Sequence, residues 1–167
     1  SGATFQTQCP AGKISGTAAS KCRDCSLGTY AEKPGSDECT LAAEGYFVDK
    51  EGAFEPKKCT DGTYTNAEGR STCLLTEPGK EANGDKTGQV DCAEGETSEP
   101  GGVCVPCGSG SYAGAAGSPS CTPAEKGYYV SDDDRTKQIQ CDEGRYSPGS
   151  GASECLDCAL GTYAKSK

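Results

Sequence analysis

The sequence predicts a small disulfide-rich all-β protein, built as an elongated stack of about ten β-hairpin repeats of about 17 residues, most with an internal disulfide. The first observation behind this prediction is composition, with 13 Cys and 24 Gly among 167 residues. The second is the regular spacing of the cysteines, and the third is a glycine that recurs at one position of every repeat. Because only 33% of the residues are hydrophobic, we expect cysteine to be the main stabiliser.

The cysteine positions contain two periods. The longer period is 82 residues: Cys25, Cys39, Cys59 and Cys73 recur as Cys107, Cys121, Cys141 and Cys155. The shorter period is about 17 residues and divides the chain into repeats 1 to 10, which begin at positions 9, 25, 42, 59, 76, 92, 107, 124, 141 and 158. We therefore predict a lead-in (1–8), a first long repeat (9–91) and a second long repeat (92–167) whose last unit is incomplete.

Each repeat has the pattern of a short β-hairpin. A glycine lies three positions after the start of all ten repeats, and an aromatic residue lies five positions after the start of seven. Ten positions after the start, six repeats carry a second glycine and another carries Asp134, which predicts the turn. The expected order is first cysteine, glycine, aromatic strand, turn, return strand and second cysteine. The turn glycines are Gly35, Gly52, Gly69, Gly102, Gly117 and Gly151.

The repeats that lack cysteine indicate how the cysteines pair. Those that begin at Ala42, Thr76 and Ala124 lack the first and the second cysteine together, as expected when the two are bonded within a repeat. The inferred pairs are Cys9 with Cys22, Cys25 with Cys39, Cys59 with Cys73, Cys92 with Cys104, Cys107 with Cys121, and Cys141 with Cys155. Cys158 is left unpaired because its expected partner would lie beyond residue 167, so we expect further repeats to follow.

The aromatic residues are expected to be structural, packing against bridges and neighbouring repeats rather than forming a ligand-binding stripe. Repeats 3 and 8 lack a bridge but have doubled aromatics, which predicts that buried ring area replaces the disulfide there. Repeat 5 has neither and is rich in loop-forming residues, which predicts a hinge. The structural aromatics are Tyr30, Tyr46, Phe47, Tyr64, Tyr112, Tyr128, Tyr129, Tyr146 and Tyr163.

The motif Cys-x-x-Gly-x-Tyr, present at Cys25 to Tyr30 and at Cys158 to Tyr163, resembles the ephrin-receptor-like cysteine-rich repeats. It is more loosely similar to the cysteine-rich modules of tumour necrosis factor receptors. The resemblance implies extracellular stacked hairpins that serve as receptor ectodomains, adhesion proteins or matrix spacers, without catalytic residues. The three bridge-free repeats depart from the pattern of these families.

Two metal interpretations are less favoured than a structural one. The C-x-x-C steps could be zinc or redox motifs, but the chain has no His and the steps lie far apart in sequence. The acidic run Asp132, Asp133 and Asp134 is a weak calcium candidate, because Ca²⁺ prefers several oxygen ligands. A solvated turn is the favoured interpretation of this run. We therefore expect no metal and no cofactor.

The remaining composition narrows the function class. Without His the chain lacks the commonest catalytic base, so we expect no enzyme activity. A net charge of −9 disfavours nucleic acid as a partner. This segment has no apolar run long enough to span a bilayer, so we expect no membrane insertion here. The cysteines favour an extracellular or cell-surface location. The leading hypothesis is a structural or spacer segment of a larger surface, matrix or filament protein, with protein partners, including self-assembly or neighbouring repeats. The alternative is a ligand-binding or adhesion ectodomain of a receptor.

Overall fold

The structure is a computed structural model that describes residues 5–165. Over this range the chain contains 18 short β-strands and no helix, and the strands form nine two-stranded antiparallel sheets between consecutive strands. None of the described residues belongs to a helix with the length and hydropathy needed to cross a membrane. The predicted all-β class with hairpin repeats is confirmed.

The strands are short because each repeat leaves only a few residues between its glycine and its loop. The first nine are β1 (Lys13–Ile14), β2 (Arg23–Asp24), β3 (Thr29–Tyr30), β4 (Thr40–Leu41), β5 (Tyr46–Phe47), β6 (Lys57–Lys58), β7 (Thr63–Tyr64), β8 (Leu74–Leu75) and β9 (Lys80–Ala82). The others are β10 (Gln89–Asp91), β11 (Glu96–Thr97), β12 (Val105–Pro106), β13 (Ser111–Tyr112), β14 (Thr122–Pro123), β15 (Tyr128–Ser131), β16 (Asp134–Gln140), β17 (Arg145–Tyr146) and β18 (Leu156–Asp157).

The register corrects the expected order of elements within a repeat. In repeat 2, Tyr30 pairs with Thr40, and Thr40 comes after the second cysteine, Cys39. The return strand therefore lies between the second cysteine of one repeat and the first residue of the next, whereas we expected it before the second cysteine. Consequently, the two residues inside a C-x-x-C step are strand residues and not a linker.

The turn residues differ from the expectation in two repeats. In repeat 6 the left-handed glycine is Gly101, with φ 72°, and not Gly102. In repeat 8 Asp134 begins β16, and its place in a left-handed turn was wrongly expected. Repeat 8 instead has strands of four and seven residues, with only Asp132 and Asp133 between them.

The described chain divides into two compact units. Unit 1 contains residues 5–75 and 82–88, and unit 2 contains residues 76–81 and 89–165. The boundary falls within repeat 5, where β9 and β10 form a hairpin. The loop of this hairpin is ordered by Asn83, whose side-chain oxygen accepts hydrogen bonds from Thr87 N at 2.9 Å and Gly88 N at 3.3 Å. The hinge role of repeat 5 and the predicted long-repeat boundaries stay predictions.

Candidate functional site

Six disulfides close the repeats that carry two cysteines. The structure brings together the same six pairs that the joint losses indicate: Cys9–Cys22, Cys25–Cys39, Cys59–Cys73, Cys92–Cys104, Cys107–Cys121 and Cys141–Cys155. Cys158 is a free thiol of intermediate exposure. Because the two cysteines of each C-x-x-C step belong to different bridges or to none, these steps form neither a redox pair nor a zinc knuckle.

In repeats 1 to 9 the first residue is buried whether or not it is cysteine. Cys25, Cys59 and Cys107 are buried, and so are Ala42 and Ala124, which occupy the same position in two bridge-free repeats. The position therefore requires a small side chain that fits under the neighbouring hairpins. Cysteine meets this requirement and adds a bridge.

A second buried position was not found from the sequence. Six residues after the start of repeats 2 to 9 lies a small side chain with at most 8% of its surface exposed: Ala31, Val48, Thr65, Ala82, Ser98, Ala113, Val130 and Ser147. These residues share size rather than chemical type, so a search for recurring residue identities overlooks them. With the first residues, they make up most of the core of each compact unit.

Three main-chain hydrogen bonds recur between successive hairpins. We call the glycine three positions after the start of a repeat the early glycine, and the residue six positions after the start the small buried residue. In the first hydrogen bond, the early glycine of one repeat donates to the small buried residue of the next, as from Gly28 N to Val48 O at 2.9 Å. In the second, that buried residue donates onward to a loop carbonyl, as from Val48 N to Arg70 O at 3.0 Å. The third runs from a turn glycine back to the first residue of the preceding repeat, as from Gly69 N to Ala42 O at 2.7 Å.

The early glycine also touches the repeat after next. At Gly28, with φ 79°, an added Cβ would lie 1.9 Å from the carbonyl oxygen of Gly69. Gly110 has the same relation to Gly151, at 2.0 Å. Only a residue without a side chain permits this close approach of two backbones, which occurs at Gly12, Gly28, Gly45, Gly79 and Gly110. At Gly127, Gly144 and Gly161 no atom of the described residues lies within 4 Å of an added Cβ, and the positive φ alone favours glycine.

The aromatic residues are less buried than expected. Tyr46 and Phe47 are half-buried, whereas the valine that follows them, Val48, is 1% exposed. Repeat 8 shows the same arrangement, with Val130 at 0%. The expectation that ring area replaces the bridge therefore needs correction, because the fully buried side chain is the valine. Half-buried as well are Tyr30, Tyr64, Tyr112, Tyr128 and Tyr129, whereas Tyr146 and Tyr163 are exposed.

Ion pairs lie on the hairpin surfaces. Lys57 donates to Asp49 at 2.8 Å and lies 5.9 Å from the centre of the Phe47 ring. The hydrogen bond from Lys57 lowers the pKa of Asp49. Lys86 donates to Asp61 at 2.7 Å, and this bond likewise lowers the pKa of the Asp61 carboxyl. Such exposed pairs fix side chains but stabilise a protein only weakly.

The acidic run in repeat 8 is engaged by neighbouring side chains. Asp132 lies 3.5 Å from Arg135, and Asp134 accepts hydrogen bonds from the amide and the hydroxyl of Thr136. The Thr136 hydroxyl is the main cause of a lowered pKa at Asp134. Within the part of the chain that the structure describes, no three metal-ligating side chains converge. The structure therefore favours the turn interpretation over the calcium site.

Each compact unit has a surface cleft. One, of about 360 Å³, lies in unit 1 and is lined by Arg23, Asp24 and Thr29 among others. The other, of about 860 Å³, lies in unit 2 and is lined by residues that include Arg145 and Ser147. The hydroxyl groups of Thr29 and Ser147 donate to main-chain carbonyls, and Arg145 is held by Asp157 at 3.0 Å. These hydroxyls are hydrogen-bonded to the backbone and not to a general base.

Residues 12–59 match the family model of the tyrosine-protein kinase ephrin type A/B receptor-like domain. The match runs from Gly12 in repeat 1 to Cys59, the first residue of repeat 4, and confirms the resemblance over this part of the chain. No curated protein matches the chain. A disulfide-rich repeat of this receptor-like type is typical of extracellular and cell-surface proteins.

Proposed function

We propose that this chain is an extracellular spacer segment of a larger surface, matrix or filament protein, and that its repeats mediate protein–protein assembly without catalysis. The observation that carries the proposal is the recurrence of the same main-chain hydrogen bonds between successive hairpins, such as Gly28 N to Val48 O and Gly95 N to Ala113 O. Each repeat is thus held chiefly by its neighbours, as in other repeat proteins whose stability is a sum of nearest-neighbour terms. Such a design suits a spacer, because repeats are added without changing the contacts.

The absence of catalysis is supported by the side chains themselves. The chain contains no His, and two hydroxyls that line the clefts, those of Thr29 and Ser147, donate to main-chain carbonyls. A serine or threonine nucleophile needs a base within hydrogen-bond reach, and neither Thr29 nor Ser147 has one among its hydrogen-bond partners.

Stretching the oxidised chain between two handles tests the spacer role. We expect discrete unfolding steps, because each repeat yields separately once its neighbour contacts break. In the six bridged repeats a step should release little chain, since the disulfide keeps its loop closed. Reductant should lengthen those steps and leave the steps of repeats 3, 5 and 8 unchanged. A smooth extension at low force, without steps, would contradict the proposal.

The second candidate is a ligand-binding or adhesion ectodomain of a receptor, which the family match at residues 12–59 favours. Half-buried tyrosines at equivalent strand positions, Tyr30 and Tyr64 among them, would then supply contacts to a protein ligand. Binding of the fluorescently labelled chain to intact cells distinguishes the two. Saturable binding that is lost in Tyr30→Ala and Tyr64→Ala supports the receptor role, whereas binding insensitive to both favours the spacer.

A further inference from the structure

One stretch of the second compact unit carries no charge. From Pro100 to Ala124 there is no Asp, Glu, Lys or Arg, although 25% of the whole chain is charged. We call residues 100–124 the charge-free band. It contains the loop and return strand of repeat 6 and the whole of repeat 7. Two main-chain hydrogen bonds join these hairpins, from Gly95 N to Ala113 O at 2.8 Å and from Gly117 N to Cys92 O at 2.9 Å.

The equivalent stretch of the first compact unit is highly charged. Residues 18–42 lie 82 positions earlier in the long repeat, and we call them the charged band. Both bands contain a bridged repeat of the same kind, closed by Cys25–Cys39 and by Cys107–Cys121. At the seven charged positions Lys21, Arg23, Asp24, Glu32, Lys33, Asp37 and Glu38, the charge-free band has Val103, Val105, Pro106, Gly114, Ala115, Pro119 and Ser120.

The fold does not demand this difference. All seven side chains of the charged band are exposed, so solvent accepts a charge at each of these positions. In the charge-free band, Val103 and Val105 are 46% and 49% exposed, and Ala115 and Pro119 are exposed as well. Exposed positions that lose every charge and gain apolar side chains are typical of a protein contact, because charged residues are depleted at the centre of interfaces.

Charges from neighbouring hairpins that reach the band are already engaged. Glu81 accepts a hydrogen bond from Cys104 N at 3.1 Å. Arg135 donates to the Cys107 carbonyl and lies 3.5 Å from Asp132, which in turn accepts from Ser109 at 3.3 Å. Glu81 is therefore bonded to the backbone of the band itself, whereas Arg135, Asp132 and Ser109 are linked to one another at its edge.

Two prolines restrict how a partner could attach. Pro106 on β12 and Pro123 on β14 lack an N–H group, whereas the equivalent residues of the charged band are Asp24 and Leu41. Since a strand that adds to a sheet edge needs those donors, proline discourages growth by strand pairing. A partner of this surface would instead pack against its side chains.

We propose that the charge-free band is the surface on which a second copy of this chain docks, side chain against side chain. Each copy carries a net charge of −9, so most pairs of surfaces would bring like charges together, which costs binding free energy. A band without charge meets its own copy without that repulsion. This inference deepens the proposed assembly role and rests on it.

Sedimentation equilibrium of the oxidised chain tests the proposal. The wild type should form a reversible dimer that tightens as salt is added, because salt screens the repulsion between the remaining acidic surfaces. The variant Val103→Lys, Val105→Arg and Ala115→Lys places the cations of the charged band on the charge-free band, at positions where the fold tolerates them. Its dimer dissociation constant should rise by about tenfold or more. This weakening is expected even though the added cations make the chain less negative, which by itself would reduce the repulsion between copies.

A control adds the same three charges elsewhere. Leu27→Lys, Phe54→Lys and Leu75→Lys replace exposed side chains of unit 1 and should leave the dimer intact. A wild type that stays monomeric at every concentration and salt overturns the inference and leaves the spacer role to the stretching experiment. A dimer that survives in the band variant, or is lost equally in the control, overturns the inference while keeping self-assembly.

Discussion

Repeats 2 and 3 are adjacent hairpins of unit 1, and only repeat 2 has a disulfide. Both have two-residue strands in the same register, with Tyr30 opposite Thr40 and Phe47 opposite Lys57. Both also bury their first residue, which is Cys25 in repeat 2 and Ala42 in repeat 3. The bridge is therefore not what gives the hairpin its shape. The shape follows from the main-chain bonds to neighbouring repeats, which the two hairpins share.

The bridge-free repeats show two ways of replacing a disulfide. Repeats 3 and 8 have valine at the small buried position, Val48 and Val130, where the bridged repeats 2, 4, 6, 7 and 9 have alanine, serine or threonine. Repeats 5 and 8 lengthen the strand pair, to three residues in each of β9 and β10, and to four and seven in β15 and β16. A disulfide stabilises a protein mainly by restricting the unfolded chain. The buried valines and the longer strand pairs instead add contacts in the folded state, and these contacts compensate for the free energy of unfolding that the missing bridge would supply.

The largest effect in this comparison should come from the bridge itself. Replacing both Cys25 and Cys39 with Ala opens a loop whose cysteines are 14 residues apart. The free energy of unfolding, measured by urea unfolding, should fall by about 3 kcal/mol. Amide exchange at Gly28 and Ala31 should still show protection, because their bonds to repeat 3 persist. Complete loss of that protection would mean that the disulfide does determine the shape of the hairpin.

An intermediate effect is expected from the buried valine. Val48→Ala removes two methyl groups from a site with 1% exposure and should cost about 2 kcal/mol. Phe47→Ala should cost less, because its ring is half-buried and its contact with Lys57 is exposed. Urea unfolding of both variants provides the measurement, with Val90→Ala, at 46% exposure, as the control. A larger loss in Phe47→Ala than in Val48→Ala would restore the aromatic rings as the replacement for the bridge.

The sequence predicts the parts of this fold that depend on residue identity. The joint absence of cysteine at repeats 3, 5 and 8 was sufficient to pair the others, and the glycine at the fourth position marked each hairpin. The small buried position was missed because Ala31, Val48 and Thr65 share only their volume. The return strands were misplaced because the residues between Cys39 and Ala42 look like a linker when the register is unknown.

The contacts between repeats were also beyond the sequence. The bonds from Gly28 to Val48 and from Val48 to Arg70 join backbone groups, which every residue except proline carries, so no residue type reports them. The exposure of Tyr146 was missed for a related reason, because an aromatic at a strand position is buried only if a neighbour covers it. The charge-free band is recognised as a candidate interface only when its residues are compared with the equivalent positions of the first long repeat.

The smallest effect concerns Thr76, which occupies the first position of repeat 5 where other repeats have cysteine. Its side chain is 1% exposed, and its hydroxyl has no hydrogen-bond partner among the described residues. A buried hydroxyl without a partner lowers stability, so Thr76→Val, which keeps the shape, should raise the free energy of unfolding by about 1 kcal/mol.

Thr65→Val is the matched control for this change. Its hydroxyl is equally buried but accepts a hydrogen bond from Gly45 N at 2.7 Å, so the substitution should destabilise by about 1 kcal/mol or more. Urea unfolding at constant pH compares the two variants directly, since neither changes charge. If both lose stability by the same amount, the Thr76 hydroxyl has a bonding partner of its own, and repeat 5 is held by a polar contact at the position where its neighbours have a disulfide.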